Sequence, residues 1–215
     1  AAPDTIAIRR CWSNARDTET YVTNGIAVLI PEEVHKGFTW LNPNVDFQNS
    51  VHVSAPLNDG VIEFSVHVAD LGDGILKIAW LPENVPYELY SSYEGIGLYA
   101  EIKYENDHQT LGFDAVRQWG AGDQNRDWLG WAHYITYVPD QAVSFQISTN
   151  QCRIYYGANL LVNTPHNLNL TASFPNGLFP HVEFSNTDNT DSEAVQIQQI
   201  KIEPLDAFRS PEVES

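Results

Sequence analysis

Residues Gly95–Val138 have the sequence GIGLYAEIKYENDHQTLGFDAVRQWGAGDQNRDWLGWAHYITYV, in which three strand-like runs are separated by polar turns. In the first run, apolar residues at positions 98, 100 and 102 alternate with Tyr99, Glu101 and Lys103. Successive side chains of a strand point to opposite faces, so this alternation predicts one face that packs a core and another that carries polar and aromatic groups. The stretch therefore predicts a sheet with a charged, aromatic outer face.

Similar runs recur along the chain, and helical periodicity is nearly absent. The predicted strands are Ala27–Ile30, Val51–Ser54, Val61–Ala69, Ile75–Leu81, Gly97–Glu105, Thr110–Trp119, Trp128–Val138, Ala142–Ser148, Cys152–Tyr156, Leu168–Phe174, His181–Ser185 and Ala194–Glu203. Turns rich in Asn, Asp, Gly and Pro separate them. We expect a β-bulge near Gln198-Gln199, because the apolar residues on its two sides differ in parity. The pattern predicts an all-β fold, an antiparallel β-sandwich or jelly roll.

Length and charge limit the function. The chain has 215 residues and no linker, so we predict a single domain over residues 1–205 and a flexible tail over 206–215. Its 28 acidic and 11 basic residues give a net charge of -17. Nucleic acids and anionic lipid surfaces require clustered Lys and Arg, so we expect neither a nucleic-acid partner nor a membrane partner. A neutral partner is favoured.

Several features predict a secreted protein. The chain contains no methionine and opens with Ala-Ala-Pro, which is typical of the residues after a cleaved signal peptide. Cys11 and Cys152 are a pair, the number needed for one disulfide in an oxidising compartment; two buried free thiols are the alternative. Asn169 begins a glycosylation sequon, Asn-Leu-Thr.

The second half of the chain contains two characteristic strand pairs. VSFQI, from Val143, is followed by CRIYYGANL, from Cys152; FPHVEF, from Phe179, is followed by VQIQQIKI, from Val195. The first pair resembles the back sheet of the concanavalin A-like lectins and glucanases, and the second resembles the final strands of that fold. The resemblance covers residues 61–204. It implies a jelly roll in which one concave sheet forms a cleft.

The long central strands line the cleft in that fold, which implies two sets of site residues. The candidate catalytic residues are Glu101, Lys103, Arg117 and His133, and the candidate ligand-binding residues are Tyr99, Trp119, Trp131, Glu63 and His67. The alternative for each of them is structural, because charged residues on an outer face are usually solvated and Trp is often in the core.

The leading function is recognition or processing of a neutral carbohydrate. Trp and Tyr rings stack on the apolar faces of sugars, and polar side chains bind the hydroxyls. Glu101 and Glu105 lie about 13 Å apart along a strand, too far for the roughly 5 Å that retaining hydrolysis needs. A pair of Glu101 with Asp114 or Glu63 stays open. The glucanases' E-x-D-x-x-E motif is absent, so enzymatic activity is favoured but not settled.

Three alternatives remain. A polysaccharide lyase of this fold needs a Tyr or His base, but the negative charge of the chain disfavours acidic polymers. A second resemblance, resting on residue types alone, is to the fungal hetero-Diels–Alderases. It implies a biosynthetic enzyme that holds an apolar terpenoid in an aromatic pocket with one or two hydrogen-bond donors. A purely structural or adhesive protein would bury its aromatic residues in the core.

We predict no cofactor and no metal. The sequence has no Gly-rich phosphate loop, no C-x-x-C, no G-x-S-x-G and no H-E-x-x-H. The loops Asp70–Gly74 and Asn186–Asp191 carry closely spaced oxygen ligands of the kind that Ca²⁺ prefers. Neither loop has a complete calcium-binding pattern, so ordinary turns are favoured there.

Overall fold

The computed structural model describes residues 8–10, 18–23, 26–31, 39–43, 60–71, 74–83, 89–186 and 196–210. The strands in these ranges are β1 (Ile8–Arg10), β2 (Thr18–Thr23), β3 (Ile26–Pro31), β4 (Thr39–Pro43), β5 (Val61–Asp70), β6 (Gly74–Leu81), β7 (Gly97–Glu105), β8 (Thr110–Gln118), β9 (Arg126–Thr136), β10 (Ala142–Ile147), β11 (Gln151–Tyr156), β12 (Asn159–Pro165), β13 (Phe179–Asn186) and β14 (Gln196–Leu205). A 3-10 turn spans Asp123–Asn125, and a one-turn helix, α1, spans Leu170–Ser173.

The strands form two antiparallel sheets. Sheet I has the order β1-β4-β13-β6-β7-β8-β9, and sheet II has the order β12-β11-β10-β5-β14-β3-β2. Strands that are neighbours in space are often far apart in the chain, as in β5 beside β14, which is typical of a jelly roll rather than a simple meander. The predicted antiparallel β-sandwich is confirmed.

The core lies between the sheets and is built from the apolar positions of the alternating strands. Phe64 of β5 packs against Trp80 of β6 with ring centroids 5.4 Å apart in an edge-to-face arrangement. Phe113 of β8 packs on Tyr156 of β11 in a tilted arrangement, with ring centroids 5.3 Å apart. Both contacts join one sheet to the other. A fully buried side chain of this size contributes about 1.5–3 kcal/mol to stability, so these aromatic contacts set how the sheets stack.

Most predicted strands are confirmed within a few residues at their ends. The predicted strand at Leu168–Phe174 is wrong. Asn169 caps α1 there, its side-chain oxygen accepting a hydrogen bond of 3.2 Å from the Ala172 amide. β1, β2, β4 and β12 were not predicted, and the predicted strand Val51–Ser54 lies outside the described residues.

The predicted bulge in β14 is confirmed. The register of β14 against β5 shifts on both sides of Ile197, and Gln198 has no partner on β5. As a result Ile197 lies opposite Val68 and Ile200 lies opposite Val66, although the two isoleucines differ in parity. A bulge inserts one extra residue. Here that residue lets Ile197 and Ile200 both lie opposite valines of β5 that share one face.

The chain end packs on the outer face of sheet II. Arg209 donates two hydrogen bonds to the Glu63 carboxylate, of 2.7 Å from Nε and 2.6 Å from a terminal nitrogen. Gln146 of β10 donates a third, of 2.6 Å, to the same carboxylate. Glu63 is 1% exposed, so these donors replace the water that the buried charge has lost. Within the predicted flexible tail, residues 206–210 are thus attached to the sandwich, and 211–215 lie outside the described residues.

Two other predictions concern the chain as a whole. Cys152 of β11 is fully buried, and burial raises the pKa of its thiol to about 12. Cys11 lies outside the described residues, so the disulfide stays a prediction, as do the domain limits. In the part of the chain that the structure describes, no helix has the length and apolarity needed to cross a membrane.

Replacing Arg209 by alanine should destabilise the fold, because it leaves the Glu63 carboxylate buried without its cation. We expect a loss of about 2–3 kcal/mol in the free energy of unfolding, less than for a fully enclosed pair because half of the Arg209 side chain is exposed. Urea unfolding at neutral pH measures it. Adding Glu63→Gln to the same variant should recover part of the loss, and an unchanged or larger loss in the double variant would contradict this account.

Candidate functional site

A row of aligned side chains crosses the outer face of sheet I. Lys77 of β6 lies directly opposite Glu101 of β7, Glu101 lies opposite Asp114 of β8, and Asp114 lies opposite Trp131 of β9. We call these four residues the central row. Lys77 and Asp114 are 3% and 7% exposed, whereas Trp131 is 66% exposed. The row therefore combines a buried ionic floor with an exposed aromatic ring at the sheet edge.

The chain segment after β6 covers the neighbouring part of this face. Leu89 and Tyr93 pack on sheet I and form a second small apolar cluster with Ala79, Leu81, Val116 and Tyr99. Tyr99 is completely buried by it. The Tyr99 hydroxyl donates to the Gln118 side chain at 3.2 Å. Tyr99 was predicted to contact ligand through an exposed ring; the structure places it instead beneath a loop, as a support.

Arg126, at the start of β9, closes the row at this covered end. Its guanidinium lies between two aromatic rings, with the centroid of Tyr90 at 4.1 Å and that of Trp128 at 4.5 Å. It donates to the Tyr99 hydroxyl at 3.1 Å and approaches a Glu101 carboxylate oxygen at 3.9 Å. A cation held between two rings has little freedom to move away. Arg126 is therefore a fixed positive charge beside Glu101.

Glu101 is the most perturbed acid of the central row. Burial raises its pKa above the ordinary value, and the charge of Asp114 acts in the same direction. Lys77, Arg126 and Lys103 oppose the shift but do not cancel it. A carboxyl group in such surroundings keeps its proton to higher pH than a solvated one, which is the property of a general acid.

His133 joins two carboxylates at the other end of the site. Its Nδ1 lies 2.7 Å from an oxygen of Glu105, and its Nε2 lies 2.9 Å from an oxygen of Asp114. The hydrogen bond to Asp114, followed by the charges of Asp114 and Glu105, raises the pKa of His133 above its usual value, although partial burial opposes this. The imidazolium form, with a proton on each nitrogen, is the form that can donate to both carboxylates at once.

A β-bulge in β9 places His133 at this position. Leu111 of β8 is opposite Ile135 and Phe113 is opposite Ala132, so two residues of β9, His133 and Tyr134, face the single residue between them. Tyr134 takes a positive φ of 58°, which few non-glycine residues adopt. Its freed backbone N–H donates to Glu105 at 2.9 Å. Bulges commonly redirect a side chain near a functional site.

Gly112 is the residue that makes the contact possible. It lies on β8, between β7, which carries Glu105, and β9, which carries His133. A Cβ atom at Gly112 would lie 2.4 Å from a carboxylate oxygen of Glu105. Glu105 therefore reaches across β8 only because position 112 has no side chain.

The structure brings four of the nine predicted site residues together. Glu101, Lys103, Trp131 and His133 share the outer face of sheet I around the central row, and Tyr99 lies below it. The remaining four do not join them.

Arg117 lies on the other face of sheet I instead, and Trp119 follows the end of β8. Arg117 has the parity of the core-facing Leu98, and it donates to the carbonyls of His166 and Asn167 at 3.4 and 3.1 Å and pairs with Asp127. Its guanidinium is 5.5 Å from the Trp119 ring. These bonds tie sheet I to the loop that follows β12, so the predicted catalytic role of Arg117 gives way to a structural one.

Glu63 and His67 lie on the wrong sheet for the predicted cleft. The core-facing residues of β5 are Ile62, Phe64 and Val66, so Glu63 and His67 point out of sheet II, on the far side of the sandwich. Glu63 is occupied by Arg209. The sequence predicted which side chains of β5 face the core and which face outward. It did not predict the sheet to which β5 belongs.

Four side chains were not assigned to the candidate site from the sequence: Lys77, Glu105, Arg126 and Asp114. Asp114 was not predicted as the partner of His133. The parity of β7 was the available signal for Glu105, which continues the Glu101–Lys103 alternation. Lys77 and Arg126 have no local signal, because their importance depends on which strands become neighbours. Among the described residues, no group of three or more His, Cys, Asp and Glu side chains is arranged to hold a metal ion.

No protein-family model matches the sequence, and no curated protein matches it. Solved structures do match the fold. A legume lectin-like domain from Entamoeba histolytica has a TM-score of 0.53 and 11% identity, over 91% of this chain and 89% of that one. A structure of endo-acting O-glycanases of the human gut microbiota, which initiate mucin breakdown, has a TM-score of 0.53 and 11% identity, over 94% and 93% of the two chains. A family 16 endo-glucanase from Bacteroides ovatus has a TM-score of 0.48 and 10% identity, over 92% and 94%.

At such low identity these similarities establish the fold and nothing finer. The protein is a concanavalin A-like β-sandwich, as the strand pairs of its second half predicted. None of these similarities supports the hetero-Diels–Alderase alternative.

The contribution of His133 to stability should depend on pH. Its pKa is raised in the folded state, so the stabilisation is complete below the unfolded value of about 6.5 and is lost as the pH rises through the folded pKa. We expect the difference in unfolding free energy between the wild type and His133→Gln to be largest at acidic pH and to shrink above neutrality. Urea unfolding over a pH series measures it, with His108→Gln as the matched control. A difference that is the same at every pH would contradict the ion-pair geometry.

Proposed function

We propose that the outer face of sheet I binds a neutral carbohydrate along the central row. The observation that carries this proposal is the exposed ring of Trp131, in register with Asp114 and Glu101. A sugar whose apolar face stacks on Trp131 would have its hydroxyls next to the carboxylates of the two adjacent strands. An aromatic platform beside fixed polar groups is the usual composition of a small-molecule site.

The balance of charges favours an uncharged ligand. Among the side chains that the structure describes around the central row, four are basic and four are acidic: Lys77, Lys103, Arg126 and His133, and Glu101, Glu105, Asp114 and Asp123. The chain as a whole carries -17, which repels polyanions at a distance. Paired ions of this kind offer hydrogen-bond donors and acceptors to hydroxyl groups. They attract neither anionic nor cationic ligands strongly.

The solved structures give separate support. Two matches with a TM-score above 0.5 are a lectin-like domain and endo-acting O-glycanases, and the names of both refer to proteins of glycan recognition or cleavage. A shared fold does not by itself transfer function, so this support is secondary to the geometry of the row.

The apolar small-molecule alternative has no matching feature here. A pericyclase pocket would need enclosing apolar walls, whereas the described floor of this face consists of Lys77, Glu101 and Asp114. An apolar ligand placed on these charged groups would remove their remaining water molecules and offer no hydrogen bonds in return. The polar site is better suited to a hydroxylated ligand.

We retain the secretory location as part of the proposal. Asn169 is exposed at the start of α1, so the predicted sequon is accessible to a glycosylating enzyme.

Replacing Trp131 by alanine should weaken binding by at least about tenfold, because truncating a stacking Trp at the centre of an interface removes a dominant contact. Calorimetric titration with laminarihexaose, cellohexaose and xylohexaose measures it. Trp119→Ala is the matched control, since Trp119 is also exposed, at 43%, but follows the end of β8, near Arg117 and outside the central row. Equal losses in both variants, or none in Trp131→Ala, would place the ligand elsewhere.

One observation favours cleavage of the glycan as a second candidate function. Glu101 and Asp114 are directly opposite on adjacent strands, where Cβ atoms lie about 4.5–5.5 Å apart. Retaining glycoside hydrolysis uses two carboxyl groups about 5–5.5 Å apart. Glu101, with its raised pKa, suits the proton donor, and Asp114, bound to His133, suits the ionised partner.

Glu101→Gln should then reduce cleavage by at least about a hundredfold, the usual contribution of a general acid, while binding is largely kept. Release of shorter oligosaccharides, followed by mass spectrometry, measures the cleavage, and calorimetry measures the binding. The control is Glu94→Gln, a substitution of an exposed glutamate outside the row. If the wild type binds a hexaose but leaves it intact, the protein is a binding module and this second function is excluded.

A further inference from the structure

The link between Asp114, His133 and Glu105 joins three strands at the place where the glycan is proposed to bind. Glu105 is on β7, Asp114 is on β8 and His133 is on β9. We call these three residues the histidine clamp. β9 is the edge strand of sheet I and pairs only with β8 within that sheet, and it carries Trp131 two residues before His133. The position of the aromatic platform relative to the carboxylates thus depends on how β9 is held.

We propose that His133 is a positioning residue for the glycan site, and that its doubly protonated ring holds the Trp131 strand against the carboxylates of β7 and β8. This inference rests on the carbohydrate binding proposed above. It adds that the binding is controlled by a proton.

The geometry of the clamp requires both protons. The two ring nitrogens lie 2.7 and 2.9 Å from carboxylate oxygens, and an ionised carboxylate can only accept. A neutral imidazole has one N–H and one lone pair, so one of the two contacts would become a repulsion. Loss of the proton would release either Glu105 or Asp114 and, with it, the local restraint on β9.

The charged groups that surround His133 favour the protonated form. On β8 it faces Asp114; on β7, Glu105 contacts it directly and Glu101 and Lys103 share the same face. On its own strand, the ring of Tyr134 is 6.5 Å away. On the other side of β9, the β12 segment Asn159–Pro165 contains no titratable side chain. The two direct contacts are both acidic, and the one cation on β7, Lys103, lies opposite Gly112, two strands away from His133 in the same register row.

The backbone around the clamp is adapted to it. The bulge presents His133, the positive φ of Tyr134 directs a backbone N–H to Glu105, and Gly112 leaves the path of the Glu105 side chain open. A non-glycine residue in this φ region is strained and persists only where the surrounding structure imposes it. Several local adjustments that serve one ion pair indicate a specific role for that pair.

The test separates the clamp from the ligand. Long-range nitrogen–proton NMR on the free protein reports the protonation of both His133 nitrogens across pH 5 to 9. We expect a midpoint above the ordinary value of about 6.5 in the wild type. Gly112→Ala should lower it, since the new Cβ displaces Glu105 without changing any charge. Circular dichroism confirms that the variant is folded, and His133→Gln provides a second variant that removes the clamp directly.

Calorimetry with laminarihexaose, cellohexaose and xylohexaose then follows binding over the same pH range. The wild-type affinity should fall by at least about tenfold as the pH rises through the NMR midpoint, the scale of one lost charged contact. Both variants should bind weakly at all pH values, with a much flatter dependence, while the control His108→Gln should follow the wild type.

Each contrary result has its own meaning. A wild-type midpoint at or below the ordinary histidine value overturns the clamp. A raised midpoint with glycan affinity that does not change with pH overturns the positioning role and leaves the proposed binding intact. No binding of any hexaose by the wild type at any pH overturns the proposed function, and the positioning role with it.

Discussion

Buried charge is the constraint on which the outer face of sheet I depends. Lys77, Glu101 and Asp114 lie side by side with little exposure, and an isolated ion in that position would lose several kcal/mol of hydration. The row is tolerated because Lys77 lies opposite Glu101 and because each acid has a second cation beside it, Arg126 beside Glu101 and His133 beside Asp114. The same pairing that makes the row stable also fixes its groups in place, which is what a binding or catalytic site requires.

The two cations are held in different ways, and the difference has consequences. Arg126 lies between aromatic rings and stays charged at all accessible pH values, so it contributes a constant field at Glu101. His133 depends on hydrogen bonds to two acids, which raise its pKa above the ordinary value, and it loses its charge when the pH rises through that pKa. The covered end of the site is thus invariant, while the exposed end, next to Trp131, responds to the medium.

The sequence predicted those parts of the fold that follow from local alternation. The parity of β5, β7 and β10, and the bulge in β14, can be read from apolar spacing alone, and so can the grouping of Tyr99, Glu101 and Lys103 on one side of a strand. It did not predict that Tyr99 is covered, since this depends on Leu89 and Tyr93, in the segment between β6 and β7, packing back onto the sheet. Arg117 was misplaced although it has the parity of Phe113 and Ala115, which face the core, because a charged side chain was assigned to the outer face against the alternation of its strand.

The histidine clamp could not be predicted for a further reason. Its members belong to three strands, and their meeting depends on a bulge at His133–Tyr134 and on the missing side chain of Gly112, neither of which alters the apolar pattern of the chain in a recognisable way. In regular strands, side chains on the same face alternate strictly, and a carboxylate on β7 would meet β8 rather than β9. The bulge in β9 and the missing side chain at Gly112 allow the Glu105 carboxylate to reach across β8 to His133. The chemistry of the site is therefore located where sheet I departs from ideal geometry, as is common for bulges beside functional residues.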